Sequence, residues 1–229
     1  MPSGYTFSHY PAGLAAEDSS KVSAVANIFS HSFGTNPKTG QPYRLGPKKT
    51  RERLHGTNDL VIAVEDTTGA SVGYVYVRRI DSPRGVVVWI DSLAVLPEHR
   101  RKGLGTALVR SLIEIHSMCR WVGCATPNPV AALVIIRATG GTAYAGECTP
   151  PPELIEMIEN IRGQTPDLQG ADFNVARLLV RTSFNPTSTG DRKDWRPPHP
   201  SEPPPWWSSL ANLPFEHEAL VVIDRQPHS

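Results

Sequence analysis

The sequence contains little cysteine, with three residues of this type among 229. Their number is odd, and none is spaced as in a Cys-x-x-Cys or Cys/His zinc motif, which argues against a disulfide framework and a zinc site. Long apolar runs are also lacking, because the longest covers seven residues, from Val130 to Ile136, whereas a bilayer span needs roughly 20. We therefore expect no structural disulfide, no metal and no membrane partner.

The sequence also lacks an excess of charge of either sign. Its 23 Lys and Arg residues nearly balance its 22 Asp and Glu residues, for a net charge of +1. This balance argues against a nucleic-acid partner, which would select a basic surface. Residues 1–20 show no basic segment followed by an apolar one, so they do not resemble a secretory signal, and we expect a cytoplasmic protein.

Proline, in contrast, is abundant, with 22 residues. Seven of them fall within residues 186–205, a stretch with few apolar side chains, which predicts an extended surface loop that Trp206 and Trp207 anchor at its end. The chain as a whole is 39% hydrophobic and long enough to bury a substantial core. We expect a single domain over residues 1–229.

Hydrophobic periodicity predicts both helices and strands in the first half of the chain. One helical face covers residues 22–33, and Ser19 or Ser20 would cap this helix. A turn-rich stretch at 34–46 leads to Pro47, a favourable first residue for a short basic helix. The predicted strands of this half are 5–10, 60–65, 72–80 and 86–95.

The second half continues with a helix over 104–117 and a strand over 121–126. Asn128 then caps a helix that Gly140 and Gly141 stop. Further on, periodicity predicts a strand at 142–147, amphipathic helices at 152–162 and 172–182, and a last strand at 219–224. We expect this last strand to pair beside 142–147, with residues 149–217 forming a helical and proline-rich insertion before it.

The most informative segment is Arg100-Arg101-Lys102-Gly103-Leu104-Gly105, which follows a predicted strand and begins a predicted helix. Glycine lets backbone N–H groups approach a ligand closely, the first helical turn leaves N–H donors unpaired, and three cations attract an anion. The spacing fits neither a Walker loop nor a dinucleotide fingerprint. The pattern favours a diphosphate as ligand, although a solvated basic turn that only begins a helix would contain the same residues.

The stretch Leu93-Ala94-Val95-x-Pro97-x-x-Arg100-x-x-Gly103-x-Gly105-x-x-Leu108 resembles motif A of the GNAT superfamily of acyl-CoA N-acyltransferases. The predicted order of elements from Tyr5 to Glu147 is also similar to that of this family. The resemblance implies an α/β (α+β) fold, with a mixed, mostly antiparallel twisted sheet flanked by helices. It also implies acetyl-CoA or another acyl-CoA as cofactor.

The resemblance further implies which residues bind the cofactor. The diphosphate of coenzyme A would be bound by the loop and the first helical turn, which comprise Arg100, Arg101, Lys102, Gly103, Leu104, Gly105 and Thr106. The strand before the loop would contain a bulge and pair its backbone at Leu93, Ala94 and Val95 with the pantetheine arm. One of these N–H groups would stabilise the oxyanion. Asn128 would bond to pantetheine or to an ordered water.

Amide formation from a thioester needs a proton acceptor for the amine and a donor for the leaving thiolate. Alternation places Trp89, Asp91 and Leu93 on one face of their strand, and Asp91 is the only carboxylate there. Asp91 is therefore the candidate base, directly or through water; otherwise it bonds to a loop amide or faces solvent. Many family members carry a Tyr in the helix after Asn128, where this chain has Val and Ile. Either Tyr144 on the next strand donates the proton, or the thiolate leaves without a dedicated donor.

The resemblance implies an enzyme that transfers an acetyl or other short acyl group from acyl-CoA to a primary amine in a ternary complex. We expect a small-molecule amine as acceptor, because the irregular segments at 34–46 and 185–207 could narrow the acceptor side, and a monomer or homodimer. Two alternatives remain open: a protein or peptide N-acetyltransferase, and a GNAT-like domain that binds acyl-CoA without transfer. The basic residues within 44–53 could contact an acidic substrate or the 3′-phosphate of the cofactor, or form a solvated helix face.

Overall fold

The computed structural model describes residues 1–34, 40–146, 148–182, 197, 201–214 and 216–225. Most of the predicted proline-rich loop lies outside these residues, as do the middle of the turn-rich stretch at 34–46 and Glu147, the end of a predicted strand. Among the described residues, no helix combines the length and the apolar character needed to cross a membrane.

Strands and helices alternate along most of the described chain. The strands are β1 (Tyr5–Pro11), β2 (Asp59–Glu65), β3 (Ser71–Ser82), β4 (Gly85–Val95), β5 (Trp121–Thr126), β6 (Thr142–Ala145), β7 (Asp172–Asn174), β8 (Leu179–Arg181) and β9 (His217–Asp224). The helices are α1 (Ala12–Glu17), α2 (Ser19–Ser32), α3 (Pro47–His55), α4 (Leu104–Ile115), α5 (Pro129–Thr139), α6 (Pro152–Gln164) and α7 (Pro205–Ala211).

These strands form one sheet in the order β1-β2-β3-β4-β5-β9-β8-β7, and β6 also pairs with β9. Every pairing is antiparallel except that of β4 with β5. Helices α4, α5 and α7 pack on one face, whereas α1, α2, α3 and α6 pack on the other. The predicted fold class, a mixed and mostly antiparallel sheet flanked by helices, is confirmed.

The last strand lies where the sequence predicts it. β9 pairs with β6 from Thr142↔Asp224 to Ala145↔Val221, and its opposite edge pairs with β5. Two short strands from the predicted insertion, β7 and β8, continue the sheet on the β6 side of β9. The sheet is therefore larger than the sequence suggests, because part of the insertion joins it.

The prediction of a helix over 172–182 is wrong. The segment forms β7, a single tight helical turn, and β8. The side-chain oxygen of Asn174 accepts a hydrogen bond from Arg177 N–H at 3.1 Å, and Leu178 adopts a left-handed conformation with φ 49°. Such local side-chain bonds compete with helix formation, and pairing of β8 with β9 buries Val180.

Helix starts follow the sequence more closely. α3 begins at Pro47, and the side chain of Asn128 caps α5. The prediction that Ser19 or Ser20 caps α2 is wrong, because Asp18 is the cap and its carboxylate accepts a hydrogen bond from Ser20 N–H at 2.8 Å. Both residue types suit the position, and a carboxylate adds a favourable interaction with the helix dipole.

Candidate active site

β4 and β5 separate halfway along their length. Their parallel pairing ends at Ile90↔Cys124. Beyond this pair β5 contacts only β9, while β4 continues beside β3 as far as Val95. Within the described residues, the outer edge of β4 from Asp91 to Val95 thus has no strand beside it. We call this edge the open edge of β4.

An extra residue in β4 marks the beginning of the open edge. Tyr76 of β3 pairs with Ser92, and Val77 pairs with Ile90, so Asp91 has no partner in the ladder and forms a β-bulge. A bulge bends its strand and increases its local twist. This bend accounts for the separation of β4 from β5 at the same point.

The bulge also reverses the alternation of side chains along β4. Trp89 packs in the cluster beneath α6, whereas Leu93 packs on the opposite face, in the cluster with α4. The prediction that Trp89, Asp91 and Leu93 share one face is therefore wrong for Leu93, because one inserted residue shifts the two-residue period.

Backbone groups at two of the three predicted positions face the open edge. Leu96 N–H donates to the Val72 carbonyl in β3 at 2.9 Å. In an antiparallel ladder the backbone N–H and C=O groups of successive residues point alternately toward the partner strand and away from it. Those of Ala94 therefore point toward β3, and those of Leu93 and Val95 point away from it. The prediction that the Ala94 backbone binds cofactor is therefore wrong, since the ladder to β3 uses its polar groups. The Leu93 backbone and the Val95 N–H remain as candidates, because the Val95 carbonyl accepts hydrogen bonds from Arg100 Nε at 3.0 Å and Ser32 Oγ at 3.2 Å.

The loop after β4 enters α4 through two left-handed residues. Arg101 has φ 61°, and Gly103, directly before α4, has φ 81°, a conformation that favours glycine. Ala107 N–H donates to the Gly103 carbonyl at 3.0 Å, which is the first backbone bond of the helix. The preceding N–H groups, from Leu104 to Thr106, have no acceptor within the helix. They form a site suited to an anion, beside the open edge.

The other loop residues differ in what they can offer a ligand. The Leu104 side chain is buried in the core, so only its backbone is available. A Cβ atom on Gly105 would lie 3.2 Å from Val134 of α5, and this glycine therefore allows close packing of α4 and α5. Lys102 is exposed, with its Nζ 3.4 Å from the hydroxyl of Tyr5.

The guanidinium of Arg100 bonds to the protein itself. Its Nε donates to the Val95 carbonyl and its Nη2 donates to the Ser32 carbonyl at the end of α2, both at 3.0 Å. These bonds connect the ends of β4 and α2, so the Arg100 side chain has a structural role. Two further cations of the loop, Arg101 and Lys102, have exposed side chains, and cations attract a diphosphate.

Asn128 is positioned by the start of α5. Its Oδ1 accepts a hydrogen bond from Val130 N–H at 2.9 Å, and its own N–H donates to Thr126 Oγ1 at 3.1 Å. The oxygen thus caps the helix. The amide nitrogen, Nδ2, is the group that this side chain can offer to a ligand.

Asp91 is buried beside a guanidinium. Its side chain is 10% exposed, and its Oδ2 lies 3.2 Å from Nη2 of Arg78 in β3. Burial raises the pKa of Asp91 to about 6, against the opposing effect of Arg78. Within the described chain the carboxylate is largely shielded from solvent, and its partner is Arg78 rather than a loop amide. A pKa near neutrality suits a general base.

Further polar groups surround this carboxylate. The hydroxyl groups of Tyr74 and Ser92 bond to each other at 2.9 Å, whereas that of Tyr76 is buried without a hydrogen-bond partner among the described residues. From α3, Arg53 Nη2 lies 3.4 Å from the carboxylate of Asp167, in the turn after α6. The charge of Asp167 raises the pKa of Asp91, and the charge of Arg53 lowers it.

Two further carboxylates, Glu218 and Asp167, escape the sequence analysis. Burial raises the pKa of Glu218, in β9, to about 7, and Asp167 adds to the rise. The sequence contains a signal for Glu218, because side chains two residues apart in a strand lie on the same face. Glu218 therefore shares a face with the buried Leu220 and Val222. Asp167 lies in the predicted insertion, where no pattern marks it.

Tyr144 lies away from the open edge. Two strands lie between Tyr144 and β4. Tyr144 pairs with Val222 of β9, Val222 pairs with Gly123 of β5, and Gly123 pairs with Trp89 of β4. Its Cα is therefore three strand spacings of roughly 4.8 Å from β4. Its ring packs on the cluster beneath α6. The structure does not bring Tyr144 to the site, and we no longer regard it as the proton donor.

Comparison with known families identifies the class of protein that this arrangement defines. Residues 22–132 match the model of the Acetyltransferase (GNAT) family, and they contain the diverging strands, the bulge and the loop before α4. This part of the chain, residues 22–132, therefore carries a GNAT acetyltransferase domain. The family implies acyl-CoA-dependent acetyltransferase activity, with acyl-CoA as the cofactor. No curated protein is similar enough in sequence to count as a relative.

Solved structures similar to part of this chain include two acetyltransferases. Diaminobutyrate acetyltransferase EctA from Paenibacillus lautus is 18% identical, with 63% of this chain and 82% of that chain covered and a TM-score of 0.40. The ribosomal-protein-S18-alanine N-acetyltransferase from Escherichia coli is 15% identical, with 65% and 85% covered and a TM-score of 0.44. Likeness at this level supports no conclusion about the substrate.

Proposed function

We propose that this protein transfers an acetyl or other short acyl group from acyl-CoA to the nitrogen of a primary amine on a small molecule. The open edge of β4 carries the proposal, because the Leu93 backbone and the Val95 N–H face it directly before the amide-rich start of α4. An extended amide chain pairs with such an edge as an added strand, and a helix start binds a diphosphate. Acyl-CoA contains both groups.

Each of these residues has a distinct part in the transfer. Leu93 N–H would bind the thioester oxygen and stabilise the negative charge that develops there. The nitrogen of the amine forms a bond to the acyl carbon, the carbon–sulfur bond breaks, one amine proton passes to Asp91, and coenzyme A leaves as its thiolate. Arg78 holds the Asp91 carboxylate in place. Binding both substrates together removes most of the entropic barrier.

A small acceptor fits the surroundings of Asp91 better than a peptide does. The contact between Arg53 and Asp167 joins α3 to the segment after α6 close to this carboxylate. An extended peptide needs a continuous groove along the surface, which such a connection interrupts. The contact thus supports a metabolite as acceptor.

Thermal unfolding with acetyl-CoA, free coenzyme A, ATP or NAD tests the cofactor site. Ligand at about 100 times its Kd should add roughly 2.7 kcal/mol of stability for both coenzyme A species. The double variant Arg101→Ala/Lys102→Ala should lose most of this gain, because it removes two cations at the helix start. Arg110→Ala/Arg137→Ala removes the same charge from exposed positions on α4 and α5 and should keep the gain.

Two outcomes of this experiment would contradict the proposed cofactor site. If neither coenzyme A species stabilises a protein that unfolds cooperatively, the proposed cofactor site does not exist. If both double variants lose the effect equally, the attraction is a property of the net charge and not of the loop.

A further inference from the structure

Glu218 lies on the same face of the sheet as the Asp91 cluster. Leu220 and Val222, which alternate with it along β9, are buried beneath α6, and its partner across the ladder, Val180 of β8, is buried in the same cluster. A two-residue period therefore directs the Glu218 side chain toward α6 and the turn after it.

Asp91 and Glu218 flank the end of β5. β9 lies directly beside β5, and β5 pairs with β4 as far as Ile90↔Cys124. The strands that carry the two carboxylates are thus two spacings, roughly 10 Å, apart where β4 and β5 still pair, and farther apart beyond that point. Asp167 raises the pKa of both carboxyl groups and is thus near each of them. Its own side chain is 69% exposed, so the group of three reaches solvent.

The charges in this region do not balance. Arg78 faces Asp91, and Arg53 faces Asp167. Glu218 accepts a hydrogen bond from Thr182, but no cation forms an ion pair with it in the part of the chain that the structure describes. Partial burial without a cation disfavours the charged form of Glu218, and a cationic ligand would favour it.

Unsatisfied hydroxyl groups accompany these carboxylates. The Tyr76 side chain is 1% exposed, and its hydroxyl lies close to the side chains of Arg53 and Ser92 but makes no well-oriented hydrogen bond among the described residues. The hydroxyl of Thr165, two residues before Asp167, is likewise buried and unpaired there. Buried polar groups in native proteins normally find partners, so these point to a polar ligand.

We propose that the acceptor carries a second cationic group, which Glu218 binds while Asp91 receives the proton of the reacting amine. This inference rests on the proposed function and specifies its substrate class as short aliphatic diamines and related dications. Glu218 lies in β9, outside residues 22–132, which match the family model.

Two acceptors of equal chain length, putrescine and butylamine, test the second cation. Putrescine should have a kcat/KM at least about tenfold above that of butylamine, because only putrescine places an ammonium group at Glu218. Glu218→Gln keeps the shape of the side chain and should raise the KM for putrescine about tenfold or more, with butylamine changed by less than about twofold. Glu159→Gln, on the exposed side of α6, is the matched control and should change neither.

A binding measurement separates this inference from the proposed function. Calorimetric titration of putrescine and butylamine into protein saturated with free coenzyme A requires no acyl transfer. The inference predicts tighter binding of putrescine, weakened by Glu218→Gln and not by Glu159→Gln. Equal binding of the two amines, or equal loss in both variants, overturns it even if the enzyme acylates amines. Absence of turnover with this binding pattern intact would instead overturn the proposed function.

Discussion

Asp91 combines a bulge, an ion pair and burial in one residue. The bulge gives the next residues an edge without a partner strand, and the ion pair with Arg78 fixes the carboxylate. Burial raises the pKa of Asp91 toward neutrality. A carboxylate in ordinary solvent would be a weaker base at neutral pH, so the position of the group is as important as its identity.

Asp91→Asn should lower kcat by about 10²–10⁴-fold, because the amide has a similar shape but cannot accept the proton. In the wild type, kcat/KM should decrease as the pH falls through about 6, and this decrease should be absent from the residual activity of the variant. Rates of coenzyme A release across the pH range measure both effects.

Asp81→Asn serves as the control for this experiment, because Asp81 is an exposed carboxylate of β3, with its side chain 80% exposed. It should retain the wild-type profile. An Asp91→Asn protein with wild-type kcat would show that Asp91 has only a structural role.

At the scale of single residues, the sequence predicts groups whose signal is local. Gly103 and the cations before it form a continuous motif, and Asp91 is the only carboxylate of its strand. The inverted faces of Leu93 and Ala94 cannot be predicted in this way, because they depend on pairing with β3. Glu218 reaches the site only through tertiary structure.

At the scale of elements, the pairing of β4 with β5 depends on a glycine. Gly123 pairs with Trp89, and a Cβ atom there would lie 2.8 Å from the indole ring. Because Gly123 has no side chain, the indole ring of Trp89 can lie over β5 just before β4 and β5 separate. This contact helps to determine where the opening begins.

Gly123→Ala should lower the free energy of unfolding by about 1–3 kcal/mol through overpacking against Trp89. In a Trp89→Leu background the same substitution should cost less, which a double-mutant cycle in urea measures as coupling. Gly163→Ala, in α6 with open space around it, should stabilise the helix by up to about 1 kcal/mol. Equal costs of Gly123→Ala in both backgrounds would contradict the contact.

Elements with strong periodicity and clear caps, such as α4 and α5, agree with the sequence prediction. The segment 172–182 does not, because its apolar spacing suits a helix while its backbone is fixed by the Asn174 cap and by pairing with β9. Short edge strands gain their stability from a neighbour that local sequence does not show.

At the scale of the whole molecule, one sheet joins strands from both sides of the family-matched region. β1 precedes residues 22–132, and β6, β7, β8 and β9 follow them. This continuity supports our proposal of a single domain. It also allows a residue of β9, such as Glu218, to lie on the same face of the sheet as Asp91.

The two buried carboxyl groups should make the stability of the protein depend on pH. A carboxyl whose pKa is raised on folding binds its proton more tightly in the folded state, so stability falls as the pH rises from the unfolded to the folded pKa. These values are 3.8 and about 6 for Asp91, and 4.5 and about 7 for Glu218. The free energy of unfolding should therefore decrease between about pH 4 and pH 8 through these groups.

Urea unfolding of the wild type and of Asp91→Asn/Glu218→Gln at several pH values checks this prediction. The double variant should reduce the decrease by roughly 1–3 kcal/mol for each group replaced. A decrease of the same size in both proteins would show that neither carboxyl group has the raised pKa.

The central claim is that the open edge of β4 and the start of α4 hold acyl-CoA for attack by an amine. Its most direct test is incubation of the protein with acetyl-CoA and putrescine, with the released thiol followed in time and the product weighed by mass spectrometry. We predict equal amounts of coenzyme A and monoacetylated amine, and little release without the amine or with Arg101→Ala/Lys102→Ala. Thiol release without acetylated product, or no release by folded protein that binds coenzyme A, would contradict the claim.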